Sequence, residues 1–230
     1  MNSRGAPPRL YIVTDRAATG GRPLAAVVRA ALAGAVRGGL DGAAVAVQLR
    51  EKDLPGRALR ELGGELRAVT RAFGAALYVN DRVDVALAVE ADGVHLAGTS
   101  LSPADVRVVT PRLGIAISTH AASELKDVGD SRAGSARIDF AVFGPIRDTP
   151  SKRIYGPPVG LEALRAAAAT RVPLLAIGGL SAQDVPALVG AGARGLACIR
   201  AVMSAADPEK EAYLLAQALT AAPVTQPHQT

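Results

Sequence analysis

The stretch FAVFGPIRDTPSKRIYG, from Phe140 to Gly156, combines the pattern of a buried strand with the first candidate site. Its first five residues, Phe140 to Gly144, are apolar or small without alternation, which is typical of a strand buried on both faces of a parallel sheet. The Gly144-Pro145 pair ends that strand. The following loop carries hydroxyls and cations within six residues, namely Arg147, Thr149, Ser151 and Lys152. Such a loop is suited to binding an anion, although an ordinary solvated loop has a similar composition.

Seven more short apolar segments accompany this one. The eight begin near positions 10, 43, 76, 91, 113, 140, 172 and 195, and each is followed by a helical segment. Strict alternation predicts a parallel sheet with right-handed crossovers. Eight units in residues 10–219 predict a single (β/α)8 TIM barrel, an α/β fold. An open doubly wound sheet is the alternative, but no GxGxxG motif follows the first strand.

We expect one catalytic domain over residues 10–219, with a flexible N-terminal tail at 1–9 and a flexible C-terminal tail at 220–230. The 230 residues are 49% hydrophobic, which is enough for a sizeable core, but only 3% are aromatic and Trp is absent. The core is therefore expected to consist of Ala, Val, Leu and Ile. The segment Ser102-Pro103-Ala104-Asp105 predicts a helix start, because it supplies a capping hydroxyl, a proline and an acidic residue in order.

Composition also restricts the class of function. No apolar run reaches the roughly 18 residues of a membrane helix, and the first eight residues lack the apolar region of a secretory signal. The one cysteine, Cys198, has no partner within the chain, which suits a reducing cytoplasm. Despite a net charge of +5, there is no basic cluster and little aromatic surface for base stacking. We therefore expect a cytoplasmic protein that binds neither membrane nor nucleic acid but takes a small anionic substrate.

Polar residues collect after the predicted strands. In a TIM barrel these positions share one rim, where active sites form. The candidates there are Thr14, Asp15, Gln48, Arg50, Lys52, Asn80, Asp81, His95, Ser118, Thr119, His120, Thr149, Ser151, Lys152, Gly178, Gly179, Ile199 and Arg200. For His95 we favour a satisfied rim or core histidine over a catalytic role.

A first group of candidates suits a pyrophosphate. Gln48, Arg50 and Lys52 alternate along the chain and therefore face the same side of a strand. Together with Lys152, the two cations could hold a polyanion. Asp81 beside them suits a divalent cation rather than the substrate.

A second group suits a single phosphate. Gly178 and Gly179 expose backbone amides after the seventh strand, and the amides of Ile199 and Arg200 follow the eighth strand. The sequence shows no evident Ser–His–Asp set, Cys/His metal array or carboxylate pair. The chemistry therefore need not involve a nucleophilic residue.

Seven fragments in this order, LYIVTD, VQLREK, VNDRVDVAL, ADGVHL, ISTH, FGPIRDTPSK and AIGGL, resemble the thiamine phosphate synthase family and its thiazole tautomerase relatives. The resemblance runs from about Leu10 to Leu219 and implies a (β/α)8 barrel. It implies an enzyme of thiamine biosynthesis, a transferase that joins hydroxymethylpyrimidine pyrophosphate to a thiazole phosphate. Pyrophosphate is released, and magnesium (Mg2+) is the implied cofactor.

The resemblance also assigns residues. The implied contacts to the pyrimidine pyrophosphate come from Gln48, Arg50, Lys52, Asn80, Ser118 and Lys152, and Asp81 is the implied magnesium ligand. The implied thiazole phosphate site consists of Thr149, Ser151, Gly179 and the amides of Ile199 and Arg200, with Gly178 beside them. The candidate catalytic residues are Arg50, Lys52, Ser118, His120 and Lys152.

Two positions depart from the synthase pattern. Ser100 stands where a second metal-binding aspartate belongs, and Arg200 replaces a serine. The first departure is shared with the tautomerase branch, which needs no metal and uses the histidine at the His120 position as acid or base. The intact QLREK, ND and PSK segments favour the synthase. A tautomerase, or a non-catalytic protein that binds thiamine intermediates, remains the alternative, and the oligomeric state is left open, a homo-oligomer included.

Overall fold

The computed structural model describes residues 6–125, 137–148 and 157–222. Eight parallel strands form a closed barrel in chain order, and β1 pairs with both β2 and β8. The strands are β1 (Leu10–Val13), β2 (Val45–Leu49), β3 (Ala76–Asn80), β4 (Gly93–Leu96), β5 (Gly114–Thr119), β6 (Phe140–Phe143), β7 (Leu174–Ala176) and β8 (Gly195–Cys198). The predicted (β/α)8 barrel is confirmed, and each strand begins at the predicted residue or at most two residues later.

The helices lie outside the barrel. They are α1 (Leu24–Arg37), α2 (Gly56–Ala72), α3 (Val83–Ala88), α4 (Pro103–Val109), α5 (Gly160–Ala168), α6 (Val185–Gly190), α7 (Arg200–Met203) and α8 (Pro208–Ala221). Helix α4 begins as predicted, because Ser102 and Asp105 cap each other reciprocally. After β5 the described chain forms a short 3-10 helix, Ala122–Leu125. No helix in the described ranges is long and apolar enough to span a membrane.

The core has two layers of different composition. Between the barrel and the helices it is built mainly from Leu, Val, Ile and Ala, as expected, with Phe143, Cys198 and Met203 among them. The barrel interior, in contrast, holds the aromatic side chains of Tyr11, Tyr78 and Phe140, whose ring centroids lie 5.2–5.8 Å apart in edge-to-face pairs. A Cβ at Gly93 would lie 2.1 Å from the Tyr78 ring, so glycine on β4 makes room for it. The expectation of a purely aliphatic core was therefore wrong for the interior.

Helices α1 and α8 pack closely where two glycines at the end of α1 face α8. A Cβ built at Gly34 of α1 would lie 1.9 Å from the carbonyl oxygen of Glu209, and one at Gly38 would lie 2.6 Å from Cβ of Ala216. Gly34 within α1 and Gly38 directly after it are four residues apart on one side, and they allow α8 to pack closely on this backbone.

Candidate active site

The last inward-facing residues of neighbouring strands form a connected polar row at the C-terminal rim. Gln48 of β2 donates from Nε2 to Oδ1 of Asn80 on β3, 3.1 Å away. Asn80 pairs in register with His95 on β4, and His95 Nε2 lies 2.8 Å from Oγ of Ser118 on β5. Gln48, Asn80 and His95 are at most 9% exposed. The structure thus brings together residues that are 32 and 23 positions apart in sequence.

Asp81 is held in place directly after this row. Its backbone has a φ of 61°, and its amide donates to the carbonyl of His95 over 3.0 Å. Asn80 Nδ2 donates to its Oδ2 at 3.0 Å, and the Ser100 hydroxyl donates to its Oδ1. Ser100 in turn accepts the amide of Ala97 at 2.6 Å. The residue that interrupts the synthase pattern therefore contacts the carboxylate predicted to bind metal.

Arg50 and Lys52 lie beyond the end of β2, in the turn that follows Leu49. The Arg50 amide donates to Oγ1 of Thr14 at 2.9 Å, and this hydroxyl donates to Oε1 of Glu51 at 2.7 Å. The amide of Arg16 donates to both oxygens of Glu51 at 3.2 Å. Thr14 and Glu51 thus attach the turn with the two cations to the loop after β1.

Glu51 is a functional neighbour that the sequence interpretation missed. Its side chain is only 4% exposed, although it stands between two solvent-accessible cations. Burial raises the pKa of Glu51, and hydrogen bonds from Thr14 and Arg16 reduce that rise. The available signal was its place in QLREK, out of phase with Gln48, Arg50 and Lys52 and hence on the opposite face.

A cleft of about 270 Å³ opens beside these groups. Its lining includes Lys52 from the turn after β2, together with Asn80, Asp81 and Arg82 after β3. Cation, amide and carboxylate therefore face one space. This is an arrangement suited to a polyanion that arrives with a divalent cation.

His95 is a satisfied interior histidine, as favoured above. Its Nδ1 lies 3.2 Å from the hydroxyl of Tyr11, so both ring nitrogens have a protein partner. Complete burial, reinforced by the positive charge of Arg50, lowers the pKa of His95 to about 3. The ring is therefore neutral at physiological pH and does not serve as a general acid–base there.

His120 is more accessible. Its Nδ1 is in hydrogen-bond contact with the carbonyl oxygen of Gly144, and its amide donates to Glu124 at 3.0 Å. Thr119, buried at the end of β5, donates to the same carboxylate at 2.8 Å. The imidazole thus lies between the ends of β5 and β6.

Of the two glycines after β7, Gly178 packs against the protein and Gly179 is exposed. Both residues have positive φ, 109° for Gly178 and 65° for Gly179. A Cβ at Gly178 would lie 2.6 Å from Cβ of Pro145, so packing against the loop after β6 requires this glycine. Gly179 is exposed on the rim. Of the two, Gly179 is therefore the one whose amide is accessible to a ligand.

The remaining candidates are distributed as follows. Ile199 directly follows β8 and is the N-cap of α7, whose first residue is Arg200. The Arg200 side chain lines an open depression of about 480 Å³ with Asp207 and Lys210 rather than the cleft beside Asp81. Thr149, Ser151 and Lys152 lie outside the described residues.

No group of three or more His, Cys, Asp or Glu side chains that could hold a metal occurs in the described part of the chain. Two carboxylates line the cleft, Glu51 and Asp81. Glu51 accepts hydrogen bonds from Thr14 and Arg16. Asp81 has Ser100 and Asn80 as its hydrogen-bond donors. A single fixed carboxylate fits magnesium, which commonly takes one or two protein ligands and completes its shell with substrate oxygens and water.

Comparison with known proteins agrees with this geometry. A family model described as thiamine monophosphate synthase matches residues 10–202. A thiamine-phosphate synthase of Moorella thermoacetica is 40% identical over 215 residues, which cover 93% of this chain and 96% of that protein. One from Roseiflexus castenholzii is 43% identical over 205 residues, covering 87% and 83%. The solved structure of a thiamine phosphate pyrophosphorylase from Pyrococcus furiosus superimposes with a TM-score of 0.78 at 33% identity, over 93% of this chain and 96% of that one.

The match extends over nearly the whole barrel and over most of each relative, and it includes the strand ends that carry the polar row. The chain belongs to the thiamine monophosphate synthase family.

Proposed function

We propose that this protein acts as a thiamine-phosphate synthase, a transferase that couples hydroxymethylpyrimidine pyrophosphate to a thiazole phosphate and releases pyrophosphate. The observation that carries the proposal is the polar row Gln48–Asn80–Asp81 at the C-terminal rim, beside the turn with Arg50 and Lys52, in a chain of this family. The tautomerase alternative has no comparable support, because the relatives quoted above carry the synthase name.

In this proposal the pyrimidine substrate occupies the cleft next to β2 and β3. Its pyrophosphate meets Arg50 and Lys52, and Lys152 joins them from the loop after β6. Gln48, Asn80 and Ser118 supply neutral hydrogen-bonding groups, which suit the pyrimidine ring and its amino group. Charge-assisted contacts of this kind contribute about 1.5–3 kcal/mol each.

The thiazole phosphate is placed on the other side of the rim. Gly179 and the amides of Ile199 and Arg200 would hold its phosphate, with Thr149 and Ser151 as hydroxyl donors. Backbone amides at glycine allow the close approach that a phosphate needs. In this proposal the thiazole nitrogen would approach the carbon that carries the pyrophosphate.

The chemistry fits these residue types. The carbon–oxygen bond to pyrophosphate breaks with both electrons leaving on oxygen, and the resulting pyrimidine cation is captured by the lone pair of the thiazole nitrogen. No side chain has to form a covalent bond. The protein must stabilise the departing polyanion and keep two reactants in line, which Arg50, Lys52 and the fixed amides can do.

Asp81 would hold magnesium, which when bound supplies positive charge to the leaving pyrophosphate. Ser100 keeps the Asp81 carboxylate oriented by its hydrogen bond to Oδ1. Because Asp81 is the one carboxylate assigned to the ion, most of the affinity for magnesium is expected to come from the substrate oxygens.

The test is to mix the purified protein with both substrates and magnesium and to measure thiamine phosphate by chromatography. Product formation supports the proposal. Heat of binding for each substrate without product at any magnesium concentration would indicate a binding protein instead. A metal-independent spectral change with thiazole carboxylate phosphate, abolished by His120→Asn, would indicate the tautomerase.

The residue assignments are tested with the cations after β2. Arg50→Ala and Lys52→Ala should each raise the Michaelis constant for the pyrimidine pyrophosphate by at least ten-fold, since each loses a charged contact of about 1.5–3 kcal/mol. Arg60→Ala, an exposed arginine of α2, is the matched control and should change nothing. Unchanged kinetics in both Arg50→Ala and Lys52→Ala would refute the assignment.

A further inference from the structure

A buried hydrogen-bonded chain runs from the barrel interior to the rim. It consists of the Tyr11 hydroxyl on β1, the His95 imidazole on β4 and the Ser118 hydroxyl on β5, with distances of 3.2 Å and 2.8 Å between neighbours. Tyr11 is fully buried and stacks on His95, their ring centroids 5.7 Å apart at an interplanar angle of 21°. Only Ser118 is partly accessible.

We propose that Tyr11 is a positioning residue that holds His95 in the tautomer protonated at Nε2 and thereby turns the hydroxyl hydrogen of Ser118 toward the bound pyrimidine substrate. The proposal rests on the proposed function, because Ser118 is there expected to contact that substrate. It adds a residue that lies too deep in the barrel to touch any ligand.

The direction of the chain follows from the partners available to each atom. Within the described part of the chain, the hydroxyl of Tyr11 has one hydrogen-bond partner, Nδ1 of His95. A buried phenol is neutral, and burial raises the pKa of Tyr11 further. If Nδ1 carried the proton, the phenol hydrogen would remain buried without an acceptor, which is costly. Tyr11 therefore donates, and Nδ1 accepts.

The consequence for the other end is direct. A neutral imidazole with a lone pair on Nδ1 carries its proton on Nε2. Nε2 then donates to Ser118 Oγ, and the serine is an acceptor in this contact. Its own hydrogen remains for a ligand, so Ser118 presents a donor at the rim. Without Tyr11 the imidazole could take either tautomer, and Ser118 could equally donate to Nε2 and present only lone pairs.

The tautomer can be read without any substrate. Protein labelled with 15N-histidine contains three histidines, at positions 95, 120 and 228, and a His95→Gln variant identifies the signals of His95. In the wild-type protein the Nε2 signal of His95 should be of the protonated type and the Nδ1 signal of the unprotonated type. In Tyr11→Phe the two types should become mixed or exchange. A proton on Nδ1 in the wild-type protein would overturn the proposal, whatever the activity.

Kinetics provide the second readout. Tyr11→Phe should lower kcat/KM about three- to ten-fold, the effect of one hydrogen bond. The double variant Tyr11→Phe/Ser118→Ala should have the same kcat/KM as Ser118→Ala alone, because both changes act through the Ser118 donor. Tyr78→Phe is the matched control, since it removes a hydroxyl from the same aromatic cluster but leaves the Tyr11–His95 contact. It should keep the wild-type tautomer and rate.

The outcomes separate the two proposals. Additive losses for Tyr11→Phe and Ser118→Ala, or an equal loss in Tyr78→Phe, would overturn the positioning role. An inactive wild-type protein with the expected His95 tautomer would overturn the proposed function and with it the substrate end of the chain. A wild-type synthase with an unchanged tautomer in Tyr11→Phe would overturn the role of Tyr11 alone.

Discussion

At the scale of single residues, the contact between Ser100 and Asp81 determines how the site would bind its metal. The Ser100 hydroxyl donates to the Asp81 carboxylate. In the proposed site Asp81 would therefore be the one charged oxygen ligand at positions where the synthase pattern has two. Ser100→Asp places a second carboxylate beside Asp81. We expect it to lower the magnesium concentration for half-maximal rate, because a charged ligand is added.

A readout apart from activity accompanies this prediction. With a chelator present, two adjacent carboxylates repel, so Ser100→Asp should lower Tm, and added magnesium should raise Tm more than in the wild type. Ser100→Ala removes the hydroxyl without adding a charge, and it should not lower the magnesium requirement. The same magnesium response in all three proteins would contradict Asp81 as a ligand.

The Thr14 hydroxyl connects the loop after β1 to the turn after β2 by two hydrogen bonds. It accepts the Arg50 amide and donates to buried Glu51. Thr14→Val keeps the shape but leaves both partners short of a bond, at a cost of about 1–3 kcal/mol. We expect a lower Tm and a raised Michaelis constant for the pyrimidine pyrophosphate, measured by thermal unfolding and steady-state kinetics.

The control for this change is Thr70→Val. Thr70 is equally buried, but its hydroxyl bonds only to the carbonyl of Arg67 within α2, away from the rim. It should lower Tm slightly and leave the Michaelis constant unaltered. Equal kinetic effects of the two changes would mean that Thr14 does not position Arg50.

At the scale of elements, the packing of α8 on α1 reverses the usual effect of a glycine in a helix. Replacing glycine by alanine in a helix interior normally stabilises by about 1 kcal/mol. At Gly34, however, the added Cβ would lie 1.9 Å from the Glu209 carbonyl oxygen and would force the helices apart. Gly34→Ala should therefore lower the free energy of unfolding by about 1–3 kcal/mol, as overpacking does.

Gly64 of α2 is the matched control, because a Cβ there meets nothing within 4 Å. Gly64→Ala should raise the free energy of unfolding by about 1 kcal/mol. Denaturant titration of both variants measures the two values. Effects of the same sign would show that α1 and α8 can move apart without cost.

The elements were largely predictable from the sequence, and the contacts between them were not. Strands were recognisable because continuous apolar runs end at glycine, proline or polar residues, and the capping pair Ser102–Asp105 is local. Glu51 and Thr14 are 37 residues apart, and Tyr11 and His95 are 84 apart. Their partnership depends on strand register around the ring, which short-range periodicity does not encode.

At the scale of the whole molecule, His95 makes stability depend on pH. Its pKa is about 3 in the folded protein, against 6.5 when exposed, owing first to burial. Above pH 6.5 both states are neutral at this group, and its effect on stability is absent. Between pH 6.5 and pH 3, His95 is protonated in the unfolded state but not in the folded state. The free energy of unfolding therefore decreases by up to about 1.4 kcal/mol for each pH unit that the pH falls.

Thermal unfolding at pH 7, 6 and 5 measures this effect. Tm should fall across the series, and His95→Gln should flatten the dependence, because the substituted side chain does not titrate. Glu51 acts in the opposite sense, because its raised pKa lets the folded state take up a proton before the unfolded state does as the pH falls. This contribution changes between the raised pKa and that of an ordinary carboxyl group. A Tm that is constant between pH 7 and 5 would contradict the buried, neutral state of His95.

The pairing of β1 with β8 has a consequence for how the protein is made. The amide of Leu196 donates to the carbonyl of Arg9. The first strand to be synthesised can therefore complete its pairing only after the last strand has been made. Until then the nascent chain has an open sheet whose two edges present unpaired amides and carbonyls, the kind of surface that associates with other chains. Termination before β8 would leave this surface permanently exposed. Whether the chain folds without associating with other chains therefore depends on completing β8 as well as on the contacts within the finished barrel.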